Sequence, residues 1–167
     1  MADLVSHGMR VEQVSRGPTG VLGELRWEIL WPPAHLGSIE PGNAASIAME
    51  FLPAARCASG CLSSLFLADL PESSQARLAS TTPLPVLDVV KVSHHGSADQ
   101  SPKLYEAIRA AVGLIGVGAD NTYGHPTQRL LEILESTGTT AERTDRNGLI
   151  LLSPGEETGE VEVWTER

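Results

Sequence analysis

Over the first half of the chain, apolar residues alternate with polar ones; later they gather into short runs and helical stripes. In "LRWEILW" (25–31), Leu25, Trp27, Ile29 and Trp31 fall on one face against Arg26 and Glu28, the period of a half-buried strand. "SIAMEFL" (46–52) repeats the pattern with Ile47, Met49 and Phe51, and "CLSSLFLAD" (61–69) predicts a third strand that runs out at Asp69. Between the first two, "PPAHLGSIEPGN" (32–43) is rich in Pro and Gly and reads as loop.

The second half alternates strand with helix. "PESSQARLAS" predicts a short helix with Pro71 in its first turn, and "VLDVVKV" (86–92) a buried strand by its β-branched content. "SPKLYEAIRAAV" (101–112) predicts a helix capped by Ser101, with Pro102 first and Leu104, Ile108, Ala111 and Val112 as its stripe. "GLIGVG" is a strand, and "HPTQRLLEILESTG" a second striped helix begun by Pro126 and closed by Gly138. "NGLILL" and "VEVW" are closing strands. This alternation predicts α/β layers, with a mixed sheet whose helices lie on one face because both stripes are one-sided.

Three polar points follow predicted strands: Asp69, the pair His94 and His95 in "VVKVSHHGSADQS", and "NTYGHP" (121–126). Strand-end loops of such sheets collect on one edge, where ligands bind. The intervals between Asp69, His95 and His125 each hold one helix and one strand, so the loops can be neighbours. A carboxylate and imidazoles converging there suit zinc or manganese. His125, just ahead of a helix, also suits an anion such as phosphate. Adjacent histidines of an extended chain point to opposite sides, so at most one of His94 and His95 ligates. Blander readings exist for each: a strand-end aspartate also serves turns, and a lone histidine also serves a surface or a hydrogen-bonded core. His7 and His35 stand in Gly/Pro-rich surroundings without a partner and read as structural. "GVGADN" lacks the helix start that a dinucleotide loop requires.

Composition trims the options. With 41% hydrophobic and 20% charged residues, the 167-residue chain is an ordinary single globular domain. No apolar stretch is long enough to span a membrane, and no signal peptide is expected. A net charge of −9 argues against a surface that wraps nucleic acid. Much of it comes from residues 155–167, an acidic tail expected to be a solvated edge, whereas 91–146 is nearly neutral. Cys57 and Cys61 are too few for a structural zinc site; a loop disulfide and two free thiols both remain open.

"DVVKVSHHGSADQS", "IGVGADNTYGHPTQRLLEIL" and "RTDRNGLILLS" together resemble the C-terminal metallo-β-lactamase-like domain of the ComEC family of DNA-uptake proteins. "NAASIAMEF" and "LSSLFLADL" resemble that family's strand pair leading to its aspartate motif, and the resemblance covers roughly residues 10–153. The family usually has Gly before the aspartate; here Ala68 stands there. The resemblance implies an αββα sandwich and a bacterial membrane protein, with this domain outside the cytoplasmic membrane and the fragment itself soluble. It also implies a metal-dependent phosphodiesterase or nuclease acting on single-stranded DNA. Asp69 would bridge two metals, His95 would be a histidine ligand with His94 beside it, and Asn121, Tyr123 and His125 would face the substrate phosphate, together with Ser97. His125 or His94 would serve as the acid.

The family's main metal cradle, an HxHxDH motif on an early loop, is absent from this sequence. The chain therefore reads as the C-terminal half to two-thirds of the domain, inactive and metal-free alone, with its missing N-terminal part and a membrane channel as partners. A homodimer of the fragment would cover the sheet face that truncation bares. The alternative is a non-catalytic, hydrolase-like interaction module of an uptake channel.

Overall fold

The computed structural model describes residues 6–167 apart from 11, 36–38, 40, 56, 58, 59 and 158. Part of the loop expected over 32–43 therefore lies outside the described residues. Seven strands form one mixed sheet in sequence order: β1 (Thr19–Leu22), β2 (Leu25–Trp31), β3 (Ala48–Pro53), β4 (Ser64–Phe66), β5 (Val89–Lys91), β6 (Val112–Ile115) and β7 (Thr140–Arg143). The first four are antiparallel and the last four parallel, β4 belonging to both halves. Helices α1 (Glu72–Thr81), α2 (Pro102–Ile108) and α3 (Gln128–Ser136) make the parallel crossovers, and a single turn, α4 (Thr144–Asn147), follows β7. The closing strands β8 (Ile150–Pro154) and β9 (Val161–Thr165) pair with each other in a separate hairpin, which takes up most of the acidic tail.

The register sorts side chains into cross-sheet rows. Ala48, Leu65 and Val90 face the helices and join Leu78, Leu104, Ile108, Leu130 and Leu134 in one core. The opposite face carries the rows Ile29–Met49–Phe66–Lys91–Leu114 and Trp27–Phe51–Ser64–Val89–Val112. Here the strand expectation needs correction. The Met49/Phe51 face is the less buried one on β3, and Ala48 and Glu50 take the helix side. A bulge between Ile29 and Trp31 turns Trp31 to the helix side as well, where its Nε1 donates to Ala44 O at 2.8 Å and Arg77 lies over its ring.

The helix over 101–112 is shorter than its stripe suggests. Arg109 adopts a left-handed conformation (φ 36°) and closes α2, which sends Val112 into β6. Ser101 makes no capping bond; its backbone N–H donates instead to Gln75 Oε1 at 3.0 Å. α3 begins at Gln128 rather than Pro126: Thr127 is still extended (ψ 154°), and its hydroxyl donates to Gly96 O instead of capping the helix. Its other end is as expected, with Gly138 (φ 75°) beyond the last turn. Cys57 and Cys61 form a disulfide, which decides between the two open states. No described helix is long and apolar enough to cross a membrane.

Candidate functional site

β4, β5 and β6 are parallel neighbours, so the loops leaving their C-terminal ends meet on one edge of the sheet. The first loop turns at Ala68 and Asp69, closed by Leu70 N donating to Leu67 O at 3.1 Å. The second is tied to it: His94 N donates to Ala68 O at 2.8 Å. The third, 116–127, is tied to the second through Gly96 O, which accepts from both the Thr127 N–H (2.8 Å) and its hydroxyl (3.2 Å).

The histidine pair is not extended, contrary to the expectation of a simple two-sided strand end. His94 (φ 45°) and His95 (φ 53°) are both left-handed, and Gly96 follows at φ 85°. The rings still diverge, but by this tight turn rather than by strand alternation. Only glycine fits at position 96, since a Cβ there would lie 2.7 Å from Pro126 Cβ and 2.8 Å from Leu130 Cδ2. Behind the turn sits a buried polar network. Gln100 Nε2 donates to Ser93 O (3.0 Å), while Gln100 Oε1 accepts from Tyr105 Oη (2.7 Å) and Gln75 Nε2 (3.1 Å). Burial pushes the Tyr105 hydroxyl pKa up, so it remains a donor.

His95 faces the first loop. Its Nδ1 lies 2.6 Å from Gly116 O, and since a carbonyl only accepts, Nδ1 carries the proton. That turns Nε2 towards the first loop, 3.9 Å from Asp69 Oδ1, with both side chains about half exposed; in the neutral ring Nε2 is the atom with the lone pair. Two donors on one tetrahedral ion at about 2.0–2.2 Å are about 3.3–3.6 Å apart, so the pair needs only a small closure to share a cation. His94 turns the other way, its ring edge-on to His125 at a centroid distance of 5.9 Å. Burial, then the neighbouring His94 and His95, push the His125 pKa down, which keeps it neutral at physiological pH.

A cleft of about 460 Å³ opens beside these rings, lined by His95, Asn121, Tyr123, His125, Thr144 and the backbone of 116–118. Asn121 braces its rim: Nδ2 donates to His125 O at 2.8 Å, and Oδ1 accepts from Tyr123 N at 3.2 Å. Ser97 is not in the cleft; it is buried, and its hydroxyl is within 3.5 Å of Gln100 Nε2. Thr144 was not anticipated. Its hydroxyl accepts from Val117 N (2.8 Å) and donates to Val117 O (2.7 Å), fixing the cleft wall; the only signal for it was its place in "RTDRNGLILLS".

The structure thus gathers Asp69, His94, His95, Asn121, Tyr123 and His125 at one edge and leaves Ser97 in the interior. His7 and His35 are exposed. Among the described residues, the one group of three potential metal-ligating side chains within mutual reach is Glu24, Cys57 and Cys61, and its two sulfurs are spent on the disulfide.

Over 144 residues, 86% of its length, the chain is 27% identical to ComE operon protein 3 (ComEC) of Bacillus subtilis (strain 168). The chain spans 18% of that protein's length. No family model matches the chain, and no solved structure matches it.

Proposed function

We propose that this chain is the C-terminal part of a metallo-β-lactamase-like domain in a competence protein for DNA uptake, and that the complete domain hydrolyses phosphodiesters. The observation that carries this is the convergence of Asp69 Oδ1 and His95 Nε2 to 3.9 Å, beside a cleft walled by His125. The donor set fits zinc or manganese at two coordination positions. A catalytic zinc usually has three protein ligands, so the rest come from a segment outside this chain.

Asp69 and His95 would hold the metal, which would supply a hydroxide nucleophile and offset phosphate charge. The Gly116 carbonyl fixes the His95 tautomer, so that Nε2 stays a lone-pair donor. Neutral His125 hydrogen-bonds a phosphate oxygen, and His94, edge-on behind it, holds the ring or passes a proton to the leaving oxygen. The substrate is DNA on the outer side of the cytoplasmic membrane, beside the channel that takes it up.

The test joins this chain to its upstream part carrying an HxHxDH motif. With added zinc or manganese the joined domain should cleave a phosphodiester substrate. His95→Ala should abolish turnover, and His94→Ala should slow it on the order of 10- to 100-fold. The chain alone should be inert in either metal. Chelator-sensitive cleavage by the chain alone would sink the proposal that it is incomplete. One observation favours a second reading, a non-catalytic interaction module: among the described residues at this edge, Asp69 and His95 alone approach each other as ligands. Absence of cleavage and of metal binding by the joined domain would decide for it.

A further inference from the structure

We infer that Tyr123 is a stacking platform that selects an unpaired nucleobase next to the phosphate contacted by His125; this rests on the phosphodiester reading above. Tyr123 is 83% exposed, the most exposed large apolar side chain among the described residues. An aromatic ring in water is ordinarily a cost, and a loose loop would let it fold down. This loop is not loose. Asn121 Oδ1 accepts from Tyr123 N (3.2 Å) and His125 N (3.4 Å), Asn121 Nδ2 holds His125 O, and Thr127 is bonded to Gly96 O. The backbone is therefore fixed on both sides of Tyr123, at a position where its ring stands in solvent.

Its neighbours give the direction. His94, His125 and Tyr123 form a chain of rings with centroids 5.9 and 6.2 Å apart, and Tyr123 lies only 31° from the plane of His125. A phosphate on His125 brings the attached base against the next ring outward. Every base has a π-face, so such a contact tolerates sequence, but it requires a base not already stacked on both sides. Among the described residues no lysine or arginine lines this cleft; Lys91 lines the adjoining pocket that shares Gly116 and Thr144. Affinity for a strand must then come largely from stacking rather than from counterion release, and its salt dependence should be shallow.

The experiment reads binding without metal or cleavage. A fluorescein-labelled single-stranded oligodeoxynucleotide is titrated with the 167-residue chain in chelator, followed by anisotropy at several salt concentrations. Tyr123→Ala should weaken binding on the order of tenfold, while Tyr123→Phe should retain it. A strand with the same phosphates but abasic sites should bind the parent chain no better than the intact strand binds the alanine variant, and the matching duplex should bind more weakly than the strand. Equal affinity of Tyr123→Ala and the parent, or undiminished binding of the abasic strand, would overturn the inference. Its failure leaves phosphodiester cleavage by the joined domain open. Conversely, Tyr123-dependent binding in a joined domain that cleaves nothing would sink the catalytic reading alone.

Discussion

Ala68, His94 and His95 are three of the four residues other than glycine that take positive φ among those described, and all three meet at the candidate site. Each such conformation costs about 1–2 kcal/mol for a residue with a Cβ, and such strain collects where a surrounding structure has a use for the geometry. Ala68 stands where the family resemblance sets glycine. Ala68→Gly should therefore raise stability by about 1 kcal/mol, part of the relief being lost to the freer unfolded chain. Gly96→Ala should do the opposite and cost at least about 1–3 kcal/mol, because the new methyl meets Pro126 and Leu130 as well as a φ of 85°. Chemical denaturation of the two variants checks both signs. Two destabilising results would mean that Ala68 is not strained as described. That Asp69, His95 and His125 share one edge is legible in the sequence, because each lies in a loop that follows a predicted strand and strand ends share an edge. The left-handed histidine pair was not legible, since nothing in "SHHG" fixes φ before the Ala68 and Gly96 contacts form.

At the scale of elements, what the sequence hid is mostly what depends on a neighbour. β7 ("TAER") has no apolar alternation and exists as a strand through its parallel pairing with β6. The helix over 101–112 stopped at Arg109 because sheet register claimed Val112, which pairs with Val89. On β3 the alternation keeps the period of two that the sequence predicts, but the side facing the helices is Ala48–Glu50–Leu52. Glu50 thereby becomes a buried carboxylate paired in register with Glu28, its Oε1 without a hydrogen-bond partner. Burial, then Glu28, raise its pKa above the ordinary 4.5, with Arg26 acting the other way. A folded-state carboxyl pKa above the unfolded one means that the fold prefers the protonated form. No penalty exists below the unfolded value; it grows as pH rises through the window above 4.5 and persists at neutrality. Glu50→Gln should thus stabilise at pH 7 by about 1 kcal/mol, or about 2–4 °C in Tm, and the gain should vanish in acid. A gain that is independent of pH would show that the charge is not its source.

For the whole molecule, the layer arrangement leaves a question of cover. α1, α2 and α3 close one face of the sheet over a continuous core. Among the described residues the β8–β9 hairpin borders the other face: Leu149 and Ile150 border Leu114 and Lys91 at one end, and Pro154 borders Gly60 at the other. Val89 and Val112 are buried there, but Phe66, stacked edge-on against Phe51 at 5.6 Å, stays 43% exposed. On the hairpin's outer side Leu151 and Trp164 pair with each other and are exposed, and Val163, on the Ile150 side, is part-exposed as well. An apolar face of this kind is costly in a free monomer, and contiguous exposed patches mark contact surfaces. In the domain proposed above, the missing part would supply the cover. Without it, a second copy offers the same aromatic rows in self-complementary form, as a two-fold interface requires. The isolated chain should therefore sediment as a dimer at tens of micromolar, and Phe66→Asp should return it to a monomer without unfolding it, since that side chain is already part-exposed. Joining the upstream part should also abolish the dimer, because both would claim one face. A parent chain that stays monomeric at that concentration would show that the hairpin alone suffices to cover the sheet.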